Sequence, residues 1–398
     1  MTSHEGINIV ATSRPKIFVR SRIPVKIGWL LLSFIFSHTV ASAEGIQPNI
    51  ADRTSNARNH RCSCGPTRRH HTDSVSLSIN SGLSQSQILD PSFKIEAYLF
   101  VGNQARDEGQ YVEAKRHFGQ MLAIDPNEWR AHYGLGNVSF DEAFLARDRN
   151  EPVAKSKSLM DNAIKEFNLA VDAVNLNNES DEQEKREVAE LYSDLAQAYL
   201  QKSDFANAQK WVDKALELNR GCASAIRRQG SIYLSQYLVN HNEAKLNQAL
   251  NKYDASLQIE SENPLTHRAR GAAYFQKFWK TFSVNSQMTE FFDKALAEFR
   301  KALALKPSFV AAYIDIGQSY FETRQYRQAI DPYRKALELN PLLAARRAEL
   351  INSYCKLGDR ASALREYEAL KQLEAQKRII PGTARQLESL IRGNCPAH

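Results

Sequence analysis

From residue 93 onward, apolar and small positions recur in a fixed pattern. An Ala stands in every copy: Ala114, Ala163, Ala208, Ala249, Ala295, Ala329 and Ala363. Four residues later comes a large side chain: Phe118, Phe167, Val212, Tyr253, Phe299, Tyr333 and Tyr367. Three further on stand Met121, Ala170, Ala215, Ser256, Ala302, Ala336 and Leu370. Offsets of zero, four and seven fall on one face of an α-helix, so each copy predicts an amphipathic helix. A partner helix lies upstream, marked by a small or apolar residue and a second residue three later. The pairs are Gly102/Ala105, Gly136/Ser139, Ala196/Tyr199, Gly230/Tyr233, Gly271/Tyr274, Gly317/Tyr320 and Ile351/Tyr354. The small residue predicts close helix approach, with the aromatic beside it filling the groove. Gly109 and Gly358 are placed for the turn between helices, where a left-handed backbone costs Gly little. Pro126, Pro307 and Pro341 close second helices, and Pro264 lies near the same place.

These residues resemble the tetratricopeptide repeat over about residues 93–375. The best copy runs from Phe309 to Leu342, with Tyr313, Ile316, Gly317, Tyr320, Ala329, Tyr333, Ala336 and Pro341 all in pattern. The resemblance implies an all-α, right-handed superhelical solenoid of about seven helix-turn-helix repeats with a C-terminal capping helix. Gly102 to Gly136, Ala196 to Gly230 and Gly317 to Ile351 keep the 34-residue family period. The second, fourth and fifth copies are longer, which predicts insertions between their two helices. Near residues 175–187 there is a further spacer, with Ser180 and Gln183 spaced as a capping box for the third first-helix. Beyond the seventh copy, Lys377-Arg378-Ile379-Ile380-Pro381-Gly382 breaks the helix. Residues 383–392 then predict a last helix with Leu387, Leu390 and Ile391 apolar, a cap for the terminal apolar face.

Charge changes the picture mainly at the N-terminus. The chain of 398 residues has 52 Lys plus Arg against 45 Asp plus Glu, a net of +7. Residues 1–75 hold 10 of the basic residues and four of the acids, which leaves the remainder at 42 against 41. The repeat body is therefore near neutral, and a nucleic-acid function loses its main support. Arg14 to Lys26 form a basic segment, Ile27–Phe36 a short apolar run, and Ala41-Ser42-Ala43 a small-residue site. That order predicts a secretory signal over 1–43, cleaved after Ala43. An anchor over residues 27–40, or an organelle transit peptide, is the alternative. Residues 44–92 predict a flexible basic linker, 93–375 the array, and 376–398 the cap and tail. Export, to the periplasm, the envelope or the extracellular space, is the expected localisation.

The chain carries no nucleotide-binding loop, no His-Glu-x-x-His and no nucleophile elbow, so no catalytic residue, metal or cofactor is expected. Cys62, Cys64, His70 and His71 have zinc-ligand chemistry but the wrong spacing, and exposed thiols on a spacer fit them better. His117, His132 and His267 fall on repeat helices and predict packed or solvated side chains. Cys222 and Cys355 predict small buried side chains, and Cys395 a mobile tail. An odd number of Cys leaves one unpaired if the others form disulfides.

The resemblance implies that first helices line a concave surface. The residues after each marker are Asn103, Asn137, Gln197, Ser231, Ala272, Gln318 and Asn352. Five are amides, and an amide offers both a donor and an acceptor to an extended peptide backbone. Three residues on come Arg106, Phe140, Leu200, Leu234, Phe275, Phe321 and Cys355, a mostly apolar row. Asn103, Asn137, Gln197, Gln318 and Asn352, with Phe140, Phe275 and Phe321, are the candidate binding residues. Bonding within the array, and packing on the next helix, are the alternative uses of the two rows. Leu99 and Tyr133 stand where a carboxylate clamp needs Lys, so a chaperone C-terminus is not the expected partner. The expected function is a non-enzymatic scaffold binding a peptide or protein segment in the groove. No nucleic acid or small-molecule substrate is expected, and membrane contact only through the N-terminal segment or linker. The alternative is an assembly factor of an envelope complex that uses its convex face and insertion loops.

Overall fold

A computed structural model describes residues 90–149, 151–176, 181–282, 289–393 and 395. The expected signal, most of the linker, and Cys62, Cys64, His70 and His71 lie outside the described residues. The described chain forms seven helix pairs and one further helix. The pairs are α1 (Pro91–Asp107) with α2 (Tyr111–Ile124), α3 (Trp129–Asp148) with α4 (Val153–Ala173), and α5 (Glu182–Gln201) with α6 (Phe205–Leu218). Next come α7 (Ala223–Asn240) with α8 (Glu243–Ile259) and α9 (Pro264–Phe282) with α10 (Glu290–Leu305). The last are α11 (Val310–Glu322) with α12 (Tyr326–Leu339) and α13 (Ala344–Lys356) with α14 (Arg360–Ala375), followed by α15 (Arg385–Gly393). Each pair packs on itself, and each second helix packs on the next first helix. The all-α repeat architecture is the one the periodicity predicts.

The repeated positions are the core. The Ala marker is 0% exposed in all seven copies, as is the position seven residues later. The first-helix Gly is explained by the ring four residues after that Ala. A Cβ on Gly136 would stand 2.5 Å from Phe167 Cδ1, and one on Gly317 would stand 2.7 Å from Tyr333 Cδ1. The ring lying on the Gly thus comes from the second helix, and not from the residue three later on the same helix. The second helix lies directly over the Gly, so its ring is the nearest group to the bare backbone there.

Turns between paired helices need one left-handed residue. Gly109 and Gly358 supply it at φ 74° and 77°, as their sequence position predicts. Ser203, His241 and Arg324 take the same role at φ 61°, 54° and 62°, though L side chains disfavour it.

The insertions of the second and fourth copies are helical, while residues 283–288 of the fifth lie outside the described residues. In the second and fourth copies they lengthen both partners: α3 and α4 run 20 and 21 residues, against 13 and 14 for α11 and α12. The cap of α5 is Asp181, which accepts from the Glu184 N–H at 2.7 Å, so the helix starts one residue beyond the expected Ser180 box. Cys355 and Cys395 form a disulfide, and Cys395 is 1% exposed. Cys395 therefore does not lie in a mobile tail, and Cys355 is not a free thiol. The Arg360 guanidinium holds the Cys395 carbonyl at 2.6 Å, so Cys395 is tied onto the last pair by both backbone and sulfur. Cys222 is buried, as expected, and outside the disulfide, but it caps the start of α7 rather than lying on the helix, with its Sγ 3.3 Å from Ser224 Oγ.

Candidate functional site

First helices of neighbouring repeats touch directly: α1 with α3, α5 with α7, α7 with α9, α9 with α11, and α11 with α13. Second helices of neighbouring repeats lack comparably close contacts with one another among the described residues. The row of first helices is therefore the tighter, inner side of the curved array. Charged and amide side chains link these helices across repeat boundaries. Arg106 Nε donates to Asp141 Oδ2 at 2.6 Å. The Tyr133 hydroxyl donates to Asp194 at 2.7 Å, and Arg228 donates to Asp194 at 3.2 Å and to Gln197 at 2.9 Å. Arg268 grips Asp315 with two bonds, at 2.5 and 3.2 Å, where Asp315 is wholly buried. Arg346 donates to Gln318 at 3.2 Å and to Glu349 at 3.0 Å, and Gln318 donates to Glu322 at 2.8 Å.

Electrostatics follow from this crowding. Burial pushes the Asp315 carboxyl up while Arg268 pulls it down, and the net shift is upward. Burial pushes Glu322 up to about 7 against the pull of Gln318, with Glu349 adding repulsion. Asp148, at the end of α3, is likewise pushed up to about 7 by burial, against Arg147, Arg346 and Asn340. For Arg106, burial works against the charge, but Asp141 beside it raises the guanidinium further still.

The candidate residues separate into two kinds. Asn103 is exposed on α1. Asn137 is buried within hydrogen-bonding reach of the Tyr133 hydroxyl. Gln197 and Gln318 are buried and engaged by Arg228 and Arg346. Asn352 is half-buried, and its Oδ1 has no partner. In the apolar row, Phe275 is wholly buried against Phe278 and Phe292, and Phe140 packs on Phe144 with centroids 5.0 Å apart. Phe321 is half-buried beside Tyr326. The structure thus brings Gln197, Asn137, Asp194 and Tyr133 into one neighbourhood and Gln318, Glu322 and Arg346 into another. Sequence reasoning missed the arginines and acids. Their signal is a charged residue two or three places before the marker, as at Asp194, Arg228, Arg268 and Asp315.

Two of the helix histidines are bonded within the array. His267 is 1% exposed between Glu298, at 2.7 Å, and the Ser261 carbonyl, at 3.0 Å. His132 meets Glu166 at 2.9 Å. Among the described residues no cluster of His, Cys, Asp and Glu has metal-site geometry, and no helix is long and apolar enough to cross a membrane.

Two stretches match models of the tetratricopeptide repeat: residues 189–222 and residues 310–341. The chain carries tetratricopeptide repeats. These cover α5–α6 and α11–α12, the third and sixth pairs, both close to the 34-residue period. No curated protein matches the sequence. Among solved structures, a human IFIT1 dimer with m7Gppp-AAAA is 17% identical at a TM-score of 0.54, covering 76% of this chain and 64% of that one. The hetero-tetramer Cut9-Hcn1 of APC/C is 15% identical at a TM-score of 0.49, covering 71% and 46%. PilF of Pseudomonas aeruginosa is 19% identical at 0.40, covering 52% and 94%. The match spans less than two thirds of the IFIT1 and Cut9-Hcn1 chains. At such identity the IFIT1 likeness shows a shared fold alone.

Proposed function

We propose that this tetratricopeptide-repeat chain is an exported, non-enzymatic scaffold that holds an extended peptide or protein segment on its concave face. Tetratricopeptide repeats typically serve protein interaction, and that is the coarse function their presence supports. The observation that carries the finer reading is the inner face itself. The first helices line it, linked between α3 and α5 by Tyr133 and Asp194, and display a band of amides, arginines and acids. Preformed donors and acceptors of both kinds suit a peptide backbone, which also offers both. Asn103 is open to a ligand as it stands, whereas the unpartnered Asn352 Oδ1 is buried and needs a side-chain rotation to meet a peptide N–H. Gln197 and Gln318 take part by exchanging or sharing their bonds to Arg228 and Arg346. Export is supported by the signal-like N-terminal sequence and by the Cys355–Cys395 disulfide, since such bonds persist mainly in oxidising compartments.

Capture of the partner by the full chain is compared with capture by the variant N103A/N137A/Q197A/Q318A, with circular dichroism as a control on folding. Loss of capture with the helix signal retained supports the groove reading. Unchanged capture refutes it. Loss of capture on removing residues 147–157, with no effect of the four substitutions, would favour the convex and insertion-loop reading instead.

A further inference from the structure

Three neighbouring first helices build one acidic group on the inner face. α11 contributes Gln318 and Glu322, one turn apart, and α13 contributes Arg346, Glu349 and Asn352, three residues between each. Both spacings keep side chains on one helix face. α9 contributes Trp279, and α9, α11 and α13 touch in that order. Gln318 joins α11 to α13: its Nε2 donates to Glu322 at 2.8 Å while its Oε1 accepts from Arg346 at 3.2 Å. The Trp279 indole donates to Glu322 from α9.

The group holds more acid than base. Arg268 is bound to Asp315, and Arg346 to Glu349 at 3.0 Å, so two cations stand against three acids. Glu322 is the acid left over. Two neutral donors hold it, Arg346 attracts it only weakly, and Glu349 repels it. A partly buried carboxylate without a bonded cation is costly. Two further oxygens of the group are idle. Tyr333 on α12 is wholly buried and faces Glu349, Arg346 and Glu322, yet its hydroxyl has no partner in hydrogen-bonding geometry. Asn352 Oδ1, one turn beyond Glu349, has none either. What the group lacks is a donor that carries positive charge. Its rim is not closed over, because Glu322, Glu349, Asn352 and Trp279 are each half-buried.

We propose that Glu322 and Glu349 form a subsite for one lysine or arginine side chain of the segment bound on the concave face. The subsite rests on the groove reading above and adds a required chemistry in the partner. An ammonium brings three N–H donors and a guanidinium five, and neither accepts. That matches the leftover acceptors: the two carboxylates and, after one side-chain rotation, Asn352 Oδ1. The methylene stem suits the half-buried Trp279 beside Glu322, and an aromatic ring also attracts a cation. With the cation in place, the charges of the group balance at three against three.

Random dodecapeptides displayed on phage are selected on the full chain. One selected peptide is then remade with its basic residue replaced by norleucine. A charge-assisted hydrogen bond is worth about a tenfold change in affinity, so wild type should bind the basic form about tenfold more tightly. Glu322→Gln keeps an acceptor for Gln318 and removes the charge. It should bind both forms within about twofold of each other, and the norleucine form as wild type does. Asn352→Ala, at the rim, should lose part of the same preference, and circular dichroism checks that both variants fold. Selected peptides with no enrichment of Lys or Arg overturn the subsite and leave the groove reading standing. So does Glu322→Gln weakening both forms alike, or a preference kept whole in both variants. Selection of no peptide at all overturns the groove reading, and the subsite with it.

Discussion

Gly136→Ala tests the packing logic of the array at a single atom. The new Cβ would lie 2.5 Å from Phe167 Cδ1 and 2.6 Å from Cε1, where carbon contacts prefer about 3.5–4.0 Å. Phe167 is 0% exposed and packs against Tyr133, with ring centroids 5.9 Å apart, so the ring has no open side to move toward. Overpacking of this kind costs about 1–3 kcal/mol. Replacing Gly by Ala inside a helix returns about 1 kcal/mol. The net expectation is a loss of roughly 0–2 kcal/mol, where Gly to Ala in a helix usually gives a gain of about 1 kcal/mol. Urea unfolding followed by circular dichroism measures it, with the double variant G136A/F167L as the second arm of a cycle. A smaller side chain at 167 should recover part of the loss relative to F167L alone, a positive coupling between the two sites. A stabilised G136A, or strict additivity, would refute the assignment of the Phe167 ring to the Gly136 surface.

Asp315→Ala should cost about 3–5 kcal/mol by leaving the Arg268 guanidinium without its wholly buried counter-charge; a loss under 1 kcal/mol in urea unfolding would contradict that. Glu322, an acid held up to about 7 in the fold, contributes stability that is full below its unfolded value near 4.5 and falls as pH rises to 7. The urea midpoint of Glu322→Gln should therefore change less than wild type between about pH 5 and pH 8, and an equal change would exclude Glu322 as the source. Cys395→Ser opens a link between residues 40 apart and should cost about 2–4 kcal/mol, read as faster proteolysis of the region after α14. Non-reducing mass mapping that finds no peptide joining Cys355 and Cys395 would remove the bond itself from the account.

Much of this fold is written in local spacing. The buried Ala row, the aromatic four residues on and the Gly turns repeat because each pair solves the same packing problem, so one sequence shows it seven times. What the pattern lacks is distance. Gln197 and Gln318 read as groove amides, but their arginine partners, Arg228 and Arg346, stand 31 and 28 residues away, outside any helical period. The same holds for Cys355 with Cys395 and for Asp148 with Asn340. These contacts depend on how the array curves, and curvature is a sum of small rotations that no single copy records. The form of the insertions stays open in the sequence for a different reason. Extra residues between two markers fit a loop or two longer helices equally well until the apolar faces of α3 and α4 are seen to stay in contact along the added turns.

The concave-face reading is tested most directly by asking which side of the array touches the partner. A photo-cross-linking residue is placed at Asn103 on α1, and in a second protein at Val112 on α2, where the side chain is 84% exposed. Both full chains are irradiated in the native compartment, and the cross-linked peptides are sequenced. The groove account predicts a defined partner segment joined at position 103 and none at position 112. A partner joined at position 112, with nothing at position 103, would contradict it.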